Sequence, residues 1–301
     1  MISHVVRRLL GSIPVLLVAS LVVFAAMRLL PGDPVDALYP ANASVSPEAR
    51  AALRAELGLD EPVPVQYTRW LMHTLSGDLG TSLRQRRPVL QLIAQRAPLT
   101  GMLVLLSTVL AVAIAVPLGT LAAIGRESLI DHAASALALG GLSVPGFALG
   151  TLLALVFGVW LRIVPTVGHP ALPVVTQALA AAGILVRNVR SGVLDELKQE
   201  YVRTARSKGL HELRSLVVHV APNALPVTVS VLATVVSFEL GGSVVIEEVF
   251  GWPGLGSLLF DSVAGRDFAV VQAVALLAVM SCTLVNLAAD ISRGVLDPRT
   301  R

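Results

Sequence analysis

Glu239 is the side chain in this sequence best placed to do chemistry. It is a carboxylate inside an otherwise apolar run, residues 223–246, next to Gly241-Gly242. An ionisable group in a bilayer is costly unless it faces a cavity, a solute path or another protein group. Two roles therefore stand side by side: a polar contact in a path through the membrane, or a carboxylate hydrogen-bonded where two subunits meet. Gly241 and Gly242, like Gly140-Gly141 and Pro145-Gly146 upstream, serve either as hinges or as small residues that let helices approach closely.

Other chemistries have little to stand on. The histidines His4, His73, His132, His169, His211 and His219 show no metal-ligand spacing beyond a weak coincidence at His211 and His219, so no metal site is expected. A single cysteine, Cys282, excludes an intrachain disulfide and cannot alone supply a thiolate metal site. No Ser/His/Asp or paired-carboxylate arrangement falls within the expected helices, and the reading is of a chain that is not an enzyme. There is no G-x-x-x-x-G-K-[ST] phosphate loop, so the chain is not expected to bind ATP itself.

The elements that position Glu239 are set by composition. Hydrophobic residues make up 54% and charged residues 14%, with a mean hydropathy of +0.76; ordinary soluble domains carry roughly 25% charged residues. The charges cluster between long apolar stretches, as a bilayer requires. With a net charge of +3 and basic residues beside apolar runs, the partner of that charge is phospholipid rather than nucleic acid.

Six stretches suit a crossing that needs about 20 mainly apolar residues: 9–30, 98–124, 134–160, 172–187, 223–246 and 269–292. The run after Arg7-Arg8 exceeds a signal-peptide core and lacks a cleavage site, so it reads as a retained first helix. Stretch 172–187 is the weakest, reaching only about 24 Å of a roughly 30 Å core. Parity supports it. With six crossings and Arg7-Arg8 inside, the linker 188–222, with Arg190, Lys198, Arg203, Arg206, Lys208, His211 and Arg214, also lies inside, as does the tail with Arg293, Arg299 and Arg301. Glu247, Glu248, Asp261 and Asp267 then form an acidic stretch outside.

Residues 31–97 form the long extracytoplasmic insertion, and its punctuation predicts folded helices. Ser46 is an N-cap, Pro47 a first helical residue, Glu48 a first-turn acid, and Gly58 follows the end. A second helix is expected near 64–76 with Tyr67, Trp70, Leu71 and Leu75 on its apolar side. The insertion is either a lid over a pore mouth or a docking surface. After span five, Trp252-Pro253-Gly254 predicts a tight turn, with Trp252 as an aromatic interfacial anchor and the turn as a candidate extracytoplasmic gate or docking site.

The stretch Glu200–Pro226 is the most informative. Val202, Ala205, Gly209, Leu213, Leu216, Val217 and Val220 recur every three or four residues, which predicts amphipathic helix broken at Gly209. Glycine permits the left-handed backbone that ends one helix and starts another. On spacing alone, such a basic hairpin also fits an interfacial helix on anionic lipid or a solvated linker.

This stretch resembles the coupling loop of bacterial binding-protein-dependent permeases, in which a glycine is followed by an I-x-L-P-like ending; here Gly209 precedes His219-Val220-Ala221-Pro222. The family's Glu-Ala-Ala triplet is replaced by Arg203-Thr204-Ala205, and YVRTARSKGL, Tyr201 to Leu210, resembles the dipeptide, oligopeptide and nickel branch. Further stretches resemble the first permease subunit of that branch: Arg7-Arg8-Leu9-Leu10, Leu30-Pro31-Gly32-Asp33-Pro34, Leu57-Gly58-Leu59-Asp60, Gln66-Tyr67 and Gly77-Asp78-Leu79-Gly80. Gly242, Glu247, Phe250, Trp252-Pro253-Gly254-Leu255-Gly256 and Leu296-Asp297-Pro298-Arg299 complete a likeness that covers nearly the whole chain.

The resemblance implies an all-α integral membrane protein of the type I ABC importer transmembrane class, with six transmembrane helices, a cytoplasmic coupling hairpin and one folded extracytoplasmic insertion. It divides the chain into a tail and first helix (1–30), the insertion (31–97), the permease domain (98–292, with coupling loop 188–222) and a cytoplasmic tail (293–301). Partners implied are a second homologous permease subunit, two cytoplasmic ATPase subunits that bind ATP and Mg, and an extracytoplasmic solute-binding protein. Tyr201, Arg203, Thr204, Ala205, Arg206, Lys208, Gly209, Leu210 and Pro222 are then the ATPase-coupling residues, with Arg203, Arg206 and Lys208 for charge pairs and Tyr201 and Leu210 for packing. The location implied is the bacterial cell membrane, both termini cytoplasmic. The cargo expected is di- or oligopeptide, with nickel, a nickel chelate or a glutathione-like compound as the alternative. An ion-coupled secondary carrier would need intramembrane carboxylates or broken helices, and of these Glu239 alone fits.

Overall fold

The computed structural model describes residues 2–29, 35, 46–56 and 58–296. Leu30-Pro31-Gly32-Asp33-Pro34, Leu57, Asp297-Pro298-Arg299 and the side chain of Arg206 lie outside the described residues. The helices in chain order are α1 (Ile2–Leu29), α2 (Pro47–Glu56), α3 (Val63–Leu75), α4 (Val89–Ile124), α5 (Leu129–Ser143), α6 (Gly146–Leu153), α7 (Ala171–Leu197), α8 (Glu200–Ser207), α9 (Glu212–Ser215), α10 (Ala221–Val249), α11 (Leu255–Ala264) and α12 (Phe268–Leu296). π-helical turns, Ala154–Trp160 and Leu216–Val220, continue α6 and α9.

Among the described residues, α1, α4, α7, α10 and α12 are each long and apolar enough to cross a membrane, and α5 with α6, bent by 108° to each other, adds a sixth where the pair is counted as one span. The bend follows from Pro145. A residue before proline is pushed out of the helical region, and Val144 is extended (φ −92°, ψ 120°), so α5 stops and Pro145 starts α6. Arg8 near the start of α1 meets Asp290 near the end of α12 at 2.6 Å.

The chain divides into two compact units. One holds Met1–Leu9, Thr100–Trp252 and Ser281–Arg301. Its centre is α7, the most buried of the five long spans. At 27 residues it is about 40 Å long, well past the stretch 172–187 expected from hydropathy. Its partners meet Ala178, Ala181 and Ala182 through Ala111 and Ala115 of α4, Ala134 of α5 and Val235 of α10. Lipid tails are as apolar as leucine, so helices in a bilayer are held by close packing of small residues rather than by hydrophobic burial. Gly183 on α7 shows the tightest such approach to α5: a methyl added there would lie 3.0 Å from the Leu137 carbonyl and 3.2 Å from the Gly141 Cα. Gly183→Ala is expected to cost about 1–3 kcal/mol by overpacking, read as a lowered unfolding midpoint in detergent. Gly140, in contrast, has nothing within 4 Å of such a methyl.

The other unit holds Leu10–Leu99 and Pro253–Met280. Its core joins Val89, Leu92 and Ile93 of α4 to Leu258 of α11 and Val270, Ala273 and Val274 of α12. In the insertion, Ser46 Oγ accepts from the Ala49 N–H (3.3 Å) as the N-cap of α2, and the backbone N–H of Glu48, followed by the Ser46 hydroxyl, holds the Glu48 carboxyl below its ordinary range. Gly58 (φ +63°) closes α2, with the Leu59 N–H donating to the Arg54 carbonyl at 3.0 Å. Gly77 (φ +87°) closes α3 the same way through Asp78 and His73 at 2.9 Å. The expected apolar side of α3 holds in part: Tyr67 meets Phe24 of α1 edge-on and Trp70 meets it tilted, with ring centroids 5.4 and 5.7 Å away, whereas Leu75 is exposed.

Two of the four acidic residues expected outside the membrane, Asp267 and Glu247, are buried within the chain. Asp267 sits at the N-terminus of α12 and takes a hydrogen bond from the Ser82 hydroxyl, with the Leu83 and Arg84 N–H groups at 3.3 and 3.4 Å. Glu247 lies within α10 at 0% exposure and accepts from Thr100 Oγ1 at 2.6 Å. Glu248 and Asp261 remain at the surface.

Candidate functional site

A cavity of about 300 Å³ opens between α5, α6, α7 and α10. α10 supplies Glu239, Phe238 and Gly242; α7 supplies Gln177 and Thr176; Gly141 and Phe147 flank the α5–α6 break. Glu239 is 7% and Gln177 6% exposed. Thr108 on α4 donates to Glu239 Oε2 at 2.6 Å, and Ser107 Oγ lies 3.3 Å from Gln177 Oε1. Glu239 Oε1 and Gln177 Nε2 are buried without a hydrogen-bond partner. α10 runs unbroken through Gly241 and Gly242, and nothing lies within 4 Å of a methyl added at either. Neither is a close-approach residue within this chain.

Sequence reasoning missed Gln177, Thr108 and Ser107. The one available signal was a lone amide inside the apolar stretch 172–187.

The hairpin after α7 has the expected break. Gly209 is left-handed (φ +76°), and the Leu210 N–H donates to the Ala205 carbonyl at 3.2 Å, the glycine-terminated helix end that α2 and α3 also use. Val202 (0% exposed) and Ala205 turn inward; Val202 joins Val189 and Val193 of α7, Val220 and Ala123. Leu216 is partly buried against that cluster, and Val217 is exposed. Arg203, Thr204 and Lys208 turn outward, Arg203 pairing with Glu200 three residues back (3.2 Å). Leu210 is half-buried and Pro222 exposed in the first turn of α10.

Tyr201 is more engaged than a free packing residue. Its hydroxyl donates to Glu196 and accepts from Asn223 Nδ2 at 3.2 Å, and its ring meets His219 edge-on at 6.5 Å. Burial, then the Glu196 carboxylate, pushes the phenol up to about 12. Arg190, counted with the loop's basic residues, lies on α7 and grips Asp131 at the start of α5 through two hydrogen bonds, 2.5 and 2.8 Å. Removing one member of such a pair leaves the other charge uncompensated, so Arg190→Met is expected to lower stability by about 1–3 kcal/mol, measured as a shift in the denaturation midpoint.

The turn after α10 differs from expectation. The left-handed glycine is Gly251 (φ +57°), where a methyl would come within 2.8 Å of Val167 Cγ1. Gly254 is extended and caps α11, its carbonyl accepting from the Leu258 N–H at 3.2 Å. The Trp252 N–H donates to the Glu247 carbonyl at 2.7 Å, and Trp252 is 6% exposed. A ring so buried is not a lipid-interface anchor. Pro253 follows Trp252 with its own side chain exposed.

Residues 1–104 match the family described as binding-protein-dependent transport system membrane component, N-terminal, and residues 115–301 match the binding-protein-dependent transport system inner membrane component. The chain belongs to this family. The permease is 41% identical over 306 residues to the glutathione transport system permease protein GsiC of Salmonella paratyphi A, covering 100% of this chain and 99% of that protein. GsiC of Escherichia coli K12 is 40% identical over 310 residues with the same coverage. In fold the permease is similar to a chain of the inward-facing MetNI methionine ABC transporter, with a TM-score of 0.61 at 20% identity over 69% of this chain and 97% of that one. A second crystal form of MetNI gives 0.58 at 19%. The permease is thus a multi-pass membrane subunit of an ABC importer, with the type I transmembrane fold and the branch resemblance read from its motifs.

Proposed function

We propose that the permease and a second, homologous permease subunit together line a path for peptide-type solutes, with glutathione-sized tripeptides as the first candidates. Two ATPase subunits, which hold the ATP and Mg, drive it from the cytoplasm, and an extracytoplasmic binding protein delivers the solute. The chain itself catalyses no reaction, and both its ends are cytoplasmic. The observation that carries this reading is α8: one face is buried on α7 through Val202 and Ala205, and the other presents Arg203, Thr204 and Lys208 outward. A subunit with no phosphate loop has to receive conformational work from its ATPase through a rigid element, and a short helix clamped on one face is rigid. The substrate half is supported by the relatives that carry the name of glutathione permeases.

The test uses the complete transporter in proteoliposomes, where ATP-dependent uptake of glutathione is the expected result. In parallel, Lys208→Cys in a Cys282→Ser chain is expected to react with a membrane-impermeant thiol reagent only after cells are permeabilised. Labelling in intact cells would overturn the coupling assignment; absence of uptake would overturn the substrate.

A further inference from the structure

The cavity beside α10 holds two unpaired polar atoms of opposite character. Glu239 presents an acceptor, Oε1, and Gln177 a donor, Nε2, and among the described residues neither atom has a hydrogen-bond partner. Each side chain is held from behind by a hydroxyl, Glu239 by Thr108 (2.6 Å) and Gln177 by Ser107 (3.3 Å). With the Ser107 hydroxyl donating to the amide oxygen, the atoms left over are the second carboxylate oxygen and the amide nitrogen. Buried polar atoms are nearly always satisfied, because each unpaired one forfeits its hydration. Apart from Thr176, whose hydroxyl donates to the Leu172 carbonyl at 2.8 Å, the rest of the wall is apolar, with Phe147, Phe238, Val235 and Ile246. The volume, about 300 Å³, lies at the lower end of small-ligand sites.

A group that satisfies both atoms carries an N–H and a C=O close together with apolar surface on either side. The peptide backbone has that pattern, either at an internal amide or at a terminal ammonium next to its carbonyl. We infer that Glu239 and Gln177 form a solute-contact site in the translocation path, the carboxylate oxygen accepting an N–H of the passing peptide and the amide nitrogen donating to its carbonyl. The assignment rests on the import of peptide-type solutes proposed above. It gives the intramembrane carboxylate the path role rather than the subunit-interface role.

The experiment compares initial uptake rates in proteoliposomes of the complete transporter for glutathione and two analogues. One analogue is N-methylated at both peptide bonds; the other is trimethylated at the terminal nitrogen. Each removes one source of N–H. The binding protein is unchanged throughout, so its own preference cancels when the wild-type ratio of rates is divided by a variant's ratio. Glu239→Leu is expected to reduce the preference for glutathione over one of the analogues about tenfold, the worth of one charge-assisted hydrogen bond. The analogue affected tells whether amide or ammonium is bound. Glu239→Gln keeps the side chain's shape and its Thr108 contact, and is expected to reduce the same preference several-fold; it decides the matter if the leucine variant does not assemble. Wild-type ratios in the variants that assemble, whatever their absolute rates, would overturn the site and leave Glu239 a packing or subunit-contact residue. Failure of the wild type to take up glutathione at all would be seen before any variant is made, and would remove the peptide reading and this site with it.

Discussion

Gly209→Pro is expected to lower ATP-driven uptake about a hundredfold or more while the permease still reaches the membrane and assembles. Proline holds φ near −65°, whereas Gly209 sits at +76°, and the mismatch costs about 3 kcal/mol or more. The pyrrolidine ring also pushes the preceding residue, Lys208, out of helical backbone, although its N–H donates to the Thr204 carbonyl at 3.1 Å. The last turn of α8 then opens, and the outward face carrying Arg203 and Thr204 loses its fixed direction. Gly209→Ala separates conformation from bulk. Nothing lies within 4 Å of a methyl at this position, so alanine faces only the left-handed penalty of about 1–2 kcal/mol. Uptake reduced several-fold by alanine and lost with proline, at equal membrane levels on an immunoblot, is the expected pattern. Normal uptake with proline would show that nothing is transmitted through this hairpin.

The second large effect is expected at Asp267. Its carboxylate gathers the Ser82 hydroxyl and the Leu83 and Arg84 N–H groups, and it is almost fully buried. The residues from Ser82 to Arg87 loop back on themselves, the Ser82 N–H donating to the Arg87 carbonyl and the Arg86 N–H to the Ser82 carbonyl, both at 2.9 Å. Asp267→Ala removes the acceptor and leaves buried donors unpaired, at about 1–3 kcal/mol each. A total of about 3–5 kcal/mol is expected, since removing one partner of a buried charged network is among the most destabilising single changes. Thermal unfolding in detergent should show a large drop in midpoint, and limited proteolysis should cut between Ser82 and Arg87. Asp267→Asn keeps one acceptor oxygen and should recover part of the loss. An unshifted midpoint in the alanine variant would mean that water replaces the carboxylate without cost.

Hydropathy located the spans because a bilayer imposes a length of apolar chain, but it truncated them wherever a helix leaves the lipid. α4 begins at Val89 because Val89, Leu92 and Ile93 repeat at three- and four-residue spacing and bury one face, a signal of period rather than of mean polarity. α7 extends to Leu197 for the same reason, with Val189 and Val193 buried between polar neighbours. Helix ends were legible where a glycine made them, at Gly58 and Gly209, since the left-handed conformation is a property of one residue. After α10 the left-handed residue is Gly251, just outside the Trp252-Pro253-Gly254 turn expected from sequence, because its place depends on where α10 ends. Burial of Glu247 and Asp267 was not legible, since their partners Thr100 and Ser82 lie far away along the chain and no local pattern announces them. Glu239 stood out as a charge among apolar residues, whereas Gln177 is uncharged and only its place opposite α10 gives it meaning.

The ion pair between Arg8 and Asp290 fastens the start of α1 to the end of α12. Of the five long spans among the described residues, α1 is the least covered by the rest of the chain, so this polar clasp makes up a larger share of what holds α1 in place than any one contact does for α7.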